Sequence, residues 1–278
     1  VLERFAPREE IKMKLLSFLT AILLSFPNSL ASQQATSSPS VGSPQATTFL
    51  AQSAAALTGR VPLSDVTLIG TARRIVGSDD DTGPAVFKAL ASGAGRTDLK
   101  LPSGQHSELL NVSAAPAGSW SGPDGTPHAI AFHNLLTEPA WFFPAFVIAR
   151  RLSISGYFAT YVGHETHDGQ AVEHVSVSQA VSLPNPSDAA TFEHLTQIDF
   201  FLDSATLLPV AIAFNIHPDD NALLDIPVEV RFSDYRSVNA AQIPFHIQKF
   251  LNNGLILDFQ AQTVTVNSGL STNIFNAL

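Results

Sequence analysis

Histidine and acid crowd one stretch of the chain: His164-Glu165-Thr166-His167, with Asp168-Gly169 next and His174 beyond. Histidine pairs with a carboxylate are zinc ligands. The spacing here is not H-E-x-x-H, so it does not make the helical metalloprotease geometry. On a strand, His164 and His167 face opposite sides, and Asp168-Gly169 is a hairpin signal. The stretch reads as a surface turn. Asp79-Asp80-Asp81, followed by Thr82-Gly83, places its acids consecutively. Calcium loops space them alternately and end on a distal Glu, so this run reads as a solvated turn. No G-x-S-x-G elbow occurs, and Ser119-Trp120-Ser121-Gly122 reads as a turn carrying an aromatic. Glu165, Asp168 and Glu173 are not set apart from other surface acids as a catalytic pair. With no nucleophile, base and orienting group in view, the chain is expected not to be an enzyme. No metal site and no cofactor is expected either.

Composition narrows the remaining classes. There is no cysteine among the 278 residues, which excludes disulfides, thiolate chemistry and a lipid anchor on cysteine. Lys and Arg number 15 against 24 Asp and Glu, for a formal net charge of −9. That balance offers no basic face to a nucleic acid. Hydrophobic residues make up 45% and charged residues only 14%, enough apolar material for a large core.

The residues best suited to chemistry are therefore apolar. In Thr137–Leu152 (TEPAWFFPAFVIARRL), Trp141, Phe142, Phe143 and Phe146 lie almost side by side. Thr137 and Glu138 lead in, Pro139 suits a first helical position, and Arg150 and Arg151 suit a last turn. Pro144 is expected to kink or divide this helix. Such a cluster is ordinarily core.

The elements that would hold it are mostly strands. Thr47 and Thr48 are placed to cap a helix beginning near Phe49, with Leu50, Ala54 and Leu57 on one face and Gly59 ending it. A strand then begins at Val66 and Leu68. Residues 85–101 read as two strands about Ser92-Gly93-Ala94-Gly95, Arg96, Asp98 and Lys100 alternating with Thr97, Leu99 and Leu101. Further on, Val175 and Val177 alternate with serines, and Val210, Ile212, Phe214 and Ile216 share a face. Val228, Val230 and Phe232, then Leu257, Phe259 and Ala261, then Val264 and Val266, alternate with polar residues. One buried and one wet face marks an antiparallel sheet, and so many short strands imply a strongly curved sheet or barrel.

Ahead of these elements, Met13-Lys14, the apolar run Leu15 to Phe26, Pro27 and the small-residue site Ser29-Leu30-Ala31 have the form of a secretory signal peptide. The run falls short of the roughly 20 apolar residues of a membrane span. Residues 1–12 are charged and read as an upstream extension, 13–31 as the signal peptide, 32–45 as a flexible leader, and 46–278 as one domain without internal repeats.

The second half carries Tyr161-Val-Gly163-His-Glu165 with Asp168-Gly169, then Asp199-Phe-Phe-Leu202-Asp203 with Leu208-Pro209. It closes with Val230-Arg-Phe232-Ser-Asp234-Tyr235-Arg236 and Ile243-Pro244-Phe245. With the order of signal peptide, helix, strands, aromatic segment and strands, the chain resembles the LolA-like proteins, the periplasmic lipoprotein carriers. The likeness runs over about 46–278 and is strongest over 157–250. Ala240 and Ala241 stand where relatives often have Gly, and the chain is longer than the familiar carriers.

The resemblance implies an α+β fold: a curved antiparallel sheet forming an incomplete β-barrel, a helical lid, and a hydrophobic cavity between them. It implies a periplasmic carrier of the acyl chains of a lipid or lipoprotein, with envelope membrane proteins as donor and acceptor. On that reading Trp120, Trp141, Phe142, Phe143, Phe146 and Phe158 are the expected cavity wall. The alternative is a sensing or scaffold module of the same fold that binds a protein partner along an open sheet edge.

Overall fold

The computed structural model describes residues 42–112, 116–137 and 140–276. The upstream extension, the signal peptide and most of the leader lie outside them.

Helix α1 spans Pro44–Thr58. It begins before the expected Thr47–Phe49 entry because Ser43 is the cap: its backbone is extended, its hydroxyl accepts from Ala46 N at 3.4 Å, and Pro44 occupies the first turn. The Thr47 and Thr48 hydroxyls instead donate back to the carbonyls of Ser43 and Pro44. Gly59 ends the helix in the left-handed conformation, as expected.

Strands then follow as β1 (Asp65–Val76), β2 (Asp79–Leu90), β3 (Gly95–Leu101), β4 (Gly104–Asn111), β5 (Ala117–Ser121) and β6 (Pro127–Ala129). A 3-10 helix, Phe132–Leu136, and helix α2, Pro144–Ser153, cross to the second run. That run comprises β7 (Tyr157–His167), β8 (Gln170–Gln179), helix α3 (Pro186–Leu195), β9 (Ile198–Asp203), β10 (Pro209–Ile216), β11 (Ile226–Val238), β12 (Ala241–Leu251) and β13 (Gly254–Val266). All strands join one open antiparallel sheet in the order β6-β5-β4-β3-β2-β1-β13-β12-β11-β10-β9-β8-β7.

The alternating residues do what their spacing predicts. One face gathers Leu68, Phe87, Val175, Phe200, Ile212, Val230, Ile247 and Phe259 into a single buried cluster. Leu50 and Leu57 of α1 and Phe146 and Ile148 of α2 join it, so both helices sit on that face as a lid. Val210 departs from the expected face. A register slip between Pro209 and Ala211 turns it toward a small second cluster with Val172 and Phe201. Asp79–Asp81 is strand rather than turn, the turn being Gly77-Ser78, and Ser119–Ser121 is strand β5.

Pro144 neither kinks nor divides a helix but opens α2, because its ring suits the first turn. Trp141 and Phe142 therefore lie in the turn before the helix, Phe143 is its cap residue, and only Phe146 is on it. Glu138 and Pro139 lie outside the described residues. Arg150 and Arg151 do occupy the last turn. Among the described residues, no helix is long and apolar enough to cross a membrane.

Candidate ligand groove

One cross-strand row defines the site. Val264, Leu68, Phe87, Thr97, Glu108, Trp120 and His128 stand opposite one another from β13 through β1 to β6. Leu68 and Phe87 are fully buried, whereas Trp120 is 46% exposed. The row thus runs from core to surface. A second row, Arg74, Leu257, Lys249, Val230 and Ile212, crosses β1 and β13 to β10. Lys249 is a buried cation among apolar neighbours.

Between these rows lies a groove in two adjoining compartments of about 230 and 260 Å³, which share Glu108, Trp120, Lys249 and Ile256 as walls. Leu99, Trp141 and Leu257 also line the first, with the polar Arg74, Thr97, His106, Ser107 and Ser121, and Ile130, Ile216 and Leu251 also line the second, with Asn134, His217 and Asp219. Together they reach the ~300–1,000 Å³ of small-molecule sites. Trp141 is tied on both sides: its Nε1 donates to Glu108 Oε1 at 3.0 Å, and the Lys249 ammonium lies 4.4 Å from its ring centre. Trp120 stacks on His128 at 4.3 Å. His106, at the groove wall, has its pKa lowered by burial first and by the charge of Arg74 second.

The expected wall residues part company. Trp120 and Trp141 face the groove. Phe142, Phe143 and Phe146 are buried in the core, Phe142 against Phe87 at 5.1 Å and Phe143 edge-on to Phe146 at 4.7 Å. Phe158 borders a separate cavity of about 210 Å³ with Leu50, Arg151, Ile154 and Tyr157. Apart from that cavity, the protein's own side chains fill the space beneath α1 and α2. Lys249 escaped the sequence reading, although its signal was there. It continues the period-two apolar series Ile243, Phe245, Ile247, where a lysine is out of place.

The outer face carries the histidine-rich hairpin as a turn, Asp168 and Gly169 both with positive φ. His164 bonds Glu173 at 2.9 Å on one side. On the other, Phe201 lies between the rings of His167 and His174. The quoted strand phrases are fold grammar: Asp203 accepts from Ala205 N and Thr206 N to shape its turn, and the Tyr235 hydroxyl donates to Pro209 O at 2.7 Å. A further cluster, His194, His217 and Asp225, adjoins the second compartment, whose wall includes His217. Its members are too far apart in sequence to announce themselves.

An open antiparallel barrel under a helical lid is the architecture these elements define. No protein-family model and no curated protein matches the sequence. Solved structures do match the fold. A domain from Vibrio parahaemolyticus named for outer membrane lipoprotein sorting superposes with a TM-score of 0.53 at 16% identity, covering 84% of this chain and 96% of that one. A LolA superfamily protein from Nitrosomonas europaea gives 0.51 at 11% identity, over 85% and 98%. A DUF1329 family protein from Desulfovibrio piger gives 0.50 at 9%, over 85% and 98%. The chain has a LolA-like fold.

Proposed function

We propose that the protein is a periplasmic carrier that binds the acyl chains of a lipid or lipoprotein. The observation that carries this reading is the groove itself: the apolar side chains Leu99, Ile130, Ile216, Leu251, Ile256 and Leu257 among polar ones, an indole on each side, and a buried lysine at its waist. An acyl chain gains about 0.8 kcal/mol per CH₂ removed from water, so the apolar part of the wall holds its tail. Lys249 supplies a cation for an anionic head or carboxylate. Trp141 and α2 then swing outward to admit the tail toward the aromatic core. Binding needs no covalent chemistry and no cofactor, and transfer follows from a tighter acceptor site. The signal-peptide reading of residues 13–31 supports the periplasm as its compartment.

Native mass spectrometry of protein purified from envelope extract, followed by lipid extraction, tests this. A stoichiometric acylated species supports the carrier. An apo mass, together with no binding of a fluorescent fatty-acyl probe, defeats it.

The packed interior favours a second reading, a module that binds a protein partner. Strand β7 is a sheet edge. Ser43 N covers the Ala159 carbonyl at 2.6 Å, while Val162 farther along is 54% exposed. Such an edge accepts an added strand. An apo mass with a co-purifying polypeptide would select this reading.

A further inference from the structure

We propose that His194, His217 and Asp225 form a binding site for a zinc-class divalent cation. His194 lies in the last turn of α3, His217 directly follows β10, and Asp225 directly precedes β11. Both imidazoles direct Nε2 at the same carboxylate oxygen, Asp225 Oδ1, at 2.8 Å from His194 and 3.0 Å from His217. The rings are 5.9 Å apart and inclined at 71°, so they converge on that point rather than stack. All three donor atoms lie within 4.8 Å of one another.

The chemistry is that of zinc. Two imidazole nitrogens and a carboxylate oxygen are borderline ligands that bind at about 2.0–2.2 Å in a tetrahedron, where ligand atoms stand roughly 3.3 Å apart. The two Nε2–Oδ1 spacings, 2.8 and 3.0 Å, need only a small expansion. An ion entering here replaces the two Nε2–Oδ1 hydrogen bonds: each neutral imidazole then ligates through Nε2 and carries its one proton on Nδ1, and only a ring that was charged releases a proton to solvent.

Two features suit the cluster to an ion. The first is that the His217 side chain, only 1% exposed, is already desolvated and holds its Nε2 against the Asp225 carboxylate. The second is the contrast between rigidity and access. The His217 backbone is clamped by Asn134, which donates from Nδ2 to its carbonyl at 2.8 Å and accepts from its N–H at 2.9 Å. His194 and Asp225 are 39% and 43% exposed, which leaves an entry path and room for water in the fourth position. A bound ion would cross-link α3 to the β10–β11 connection beside the groove wall at Ile216 and His217.

The test uses the full chain, stripped with chelator and titrated with ZnCl₂ by isothermal calorimetry, with Co²⁺ as a spectroscopic substitute. We expect one ion per chain and the visible absorption of tetrahedral Co²⁺. His194→Ala and Asp225→Asn, both at exposed positions, should each weaken binding about tenfold or more with unchanged circular dichroism. His164→Ala and His174→Ala, on the hairpin, should leave it unchanged. Absence of saturable binding, or binding that survives both His194→Ala and Asp225→Asn, overturns the site.

Discussion

The Lys249 ammonium stands 4.4 Å over the Trp141 ring at the waist of the groove. A cation held on an aromatic face contributes about 0.5–2 kcal/mol. On the carrier reading it is the group that meets an anionic head group. Lys249→Met keeps the apolar bulk and removes the charge. Fluorescence titration should show roughly tenfold weaker binding of a fatty-acid probe, about 1.4 kcal/mol, and no change for the matching fatty alcohol. Equal losses for both probes would mean that Lys249 shapes the groove without reading the head group.

Acid should attack a different point. Asp65 is buried, which by itself raises its pKa. Ser268 (through its hydroxyl and its N–H), the Ser64 hydroxyl and Gly269 N all donate to its carboxylate and outweigh burial, taking the pKa down to about 2. A carboxylate depressed in the folded state stabilises above its unfolded pKa, and that stability fades as pH falls through the folded one. The contribution is about 2 kcal/mol, lost between about pH 4 and pH 2. Asp65→Asn should therefore lower the urea midpoint at neutral pH, with the gap to the parent closing toward pH 2. A gap that is constant with pH would refute this account.

The centre of the sheet allows little substitution. A Cβ on Gly70 would lie 2.0 Å from Gln260 O and 2.9 Å from Ala261 Cα, both backbone atoms, where the β1–β13 register slips. Neither can yield without breaking the ladder. Gly70→Ala should cost about 2 kcal/mol or more, visible as a fall in Tm. An unchanged Tm would show that the strands can part there.

Arg151 presents the opposite case. It is buried, its Nε and Nη1 have no hydrogen-bond partner, and its polar support is Nη2 donating to Leu136 O and a face-on contact with Tyr157. Burial pulls its pKa down to about 10. Replacing buried ion pairs by apolar side chains is often neutral or stabilising, and among the described residues Arg151 has no carboxylate partner to strand. Arg151→Met should hold or raise Tm. A loss above about 2 kcal/mol would mean that the guanidinium organises the end of α2.

What the sequence made legible was local. The alternation around Val230 and Phe259 placed strands and faces, because burial on one side of a sheet imposes a period of two. Gly59 marked a helix end because few residues other than glycine accept that backbone. Errors came where two local signals competed. Thr47 and Thr48 are good caps, yet Ser43 followed by Pro44 is a better entry, and Pro144 had the choice of breaking a helix or starting one. The groove was half visible. Trp120 and Trp141 declared themselves by type, while Glu108, Lys249 and Ile256 meet only because β4, β12 and β13 are brought together by the sheet. The same distance hid His194, His217 and Asp225, and no spacing rule reaches across α3 and two strands.

The strand order has a kinetic consequence. Every ladder but one joins strands that follow each other in the chain, so β1–β6 and β7–β13 can each zip as local meanders. The exception is β1 with β13, where Asp65 holds Ser268 across 203 residues. Closing that loop carries the largest entropy cost in the sheet. The two halves should therefore form early and their seam late. Until β13 arrives, the apolar strand β1 is a bare edge, and the nascent chain is most prone to sticking to its neighbours during that interval.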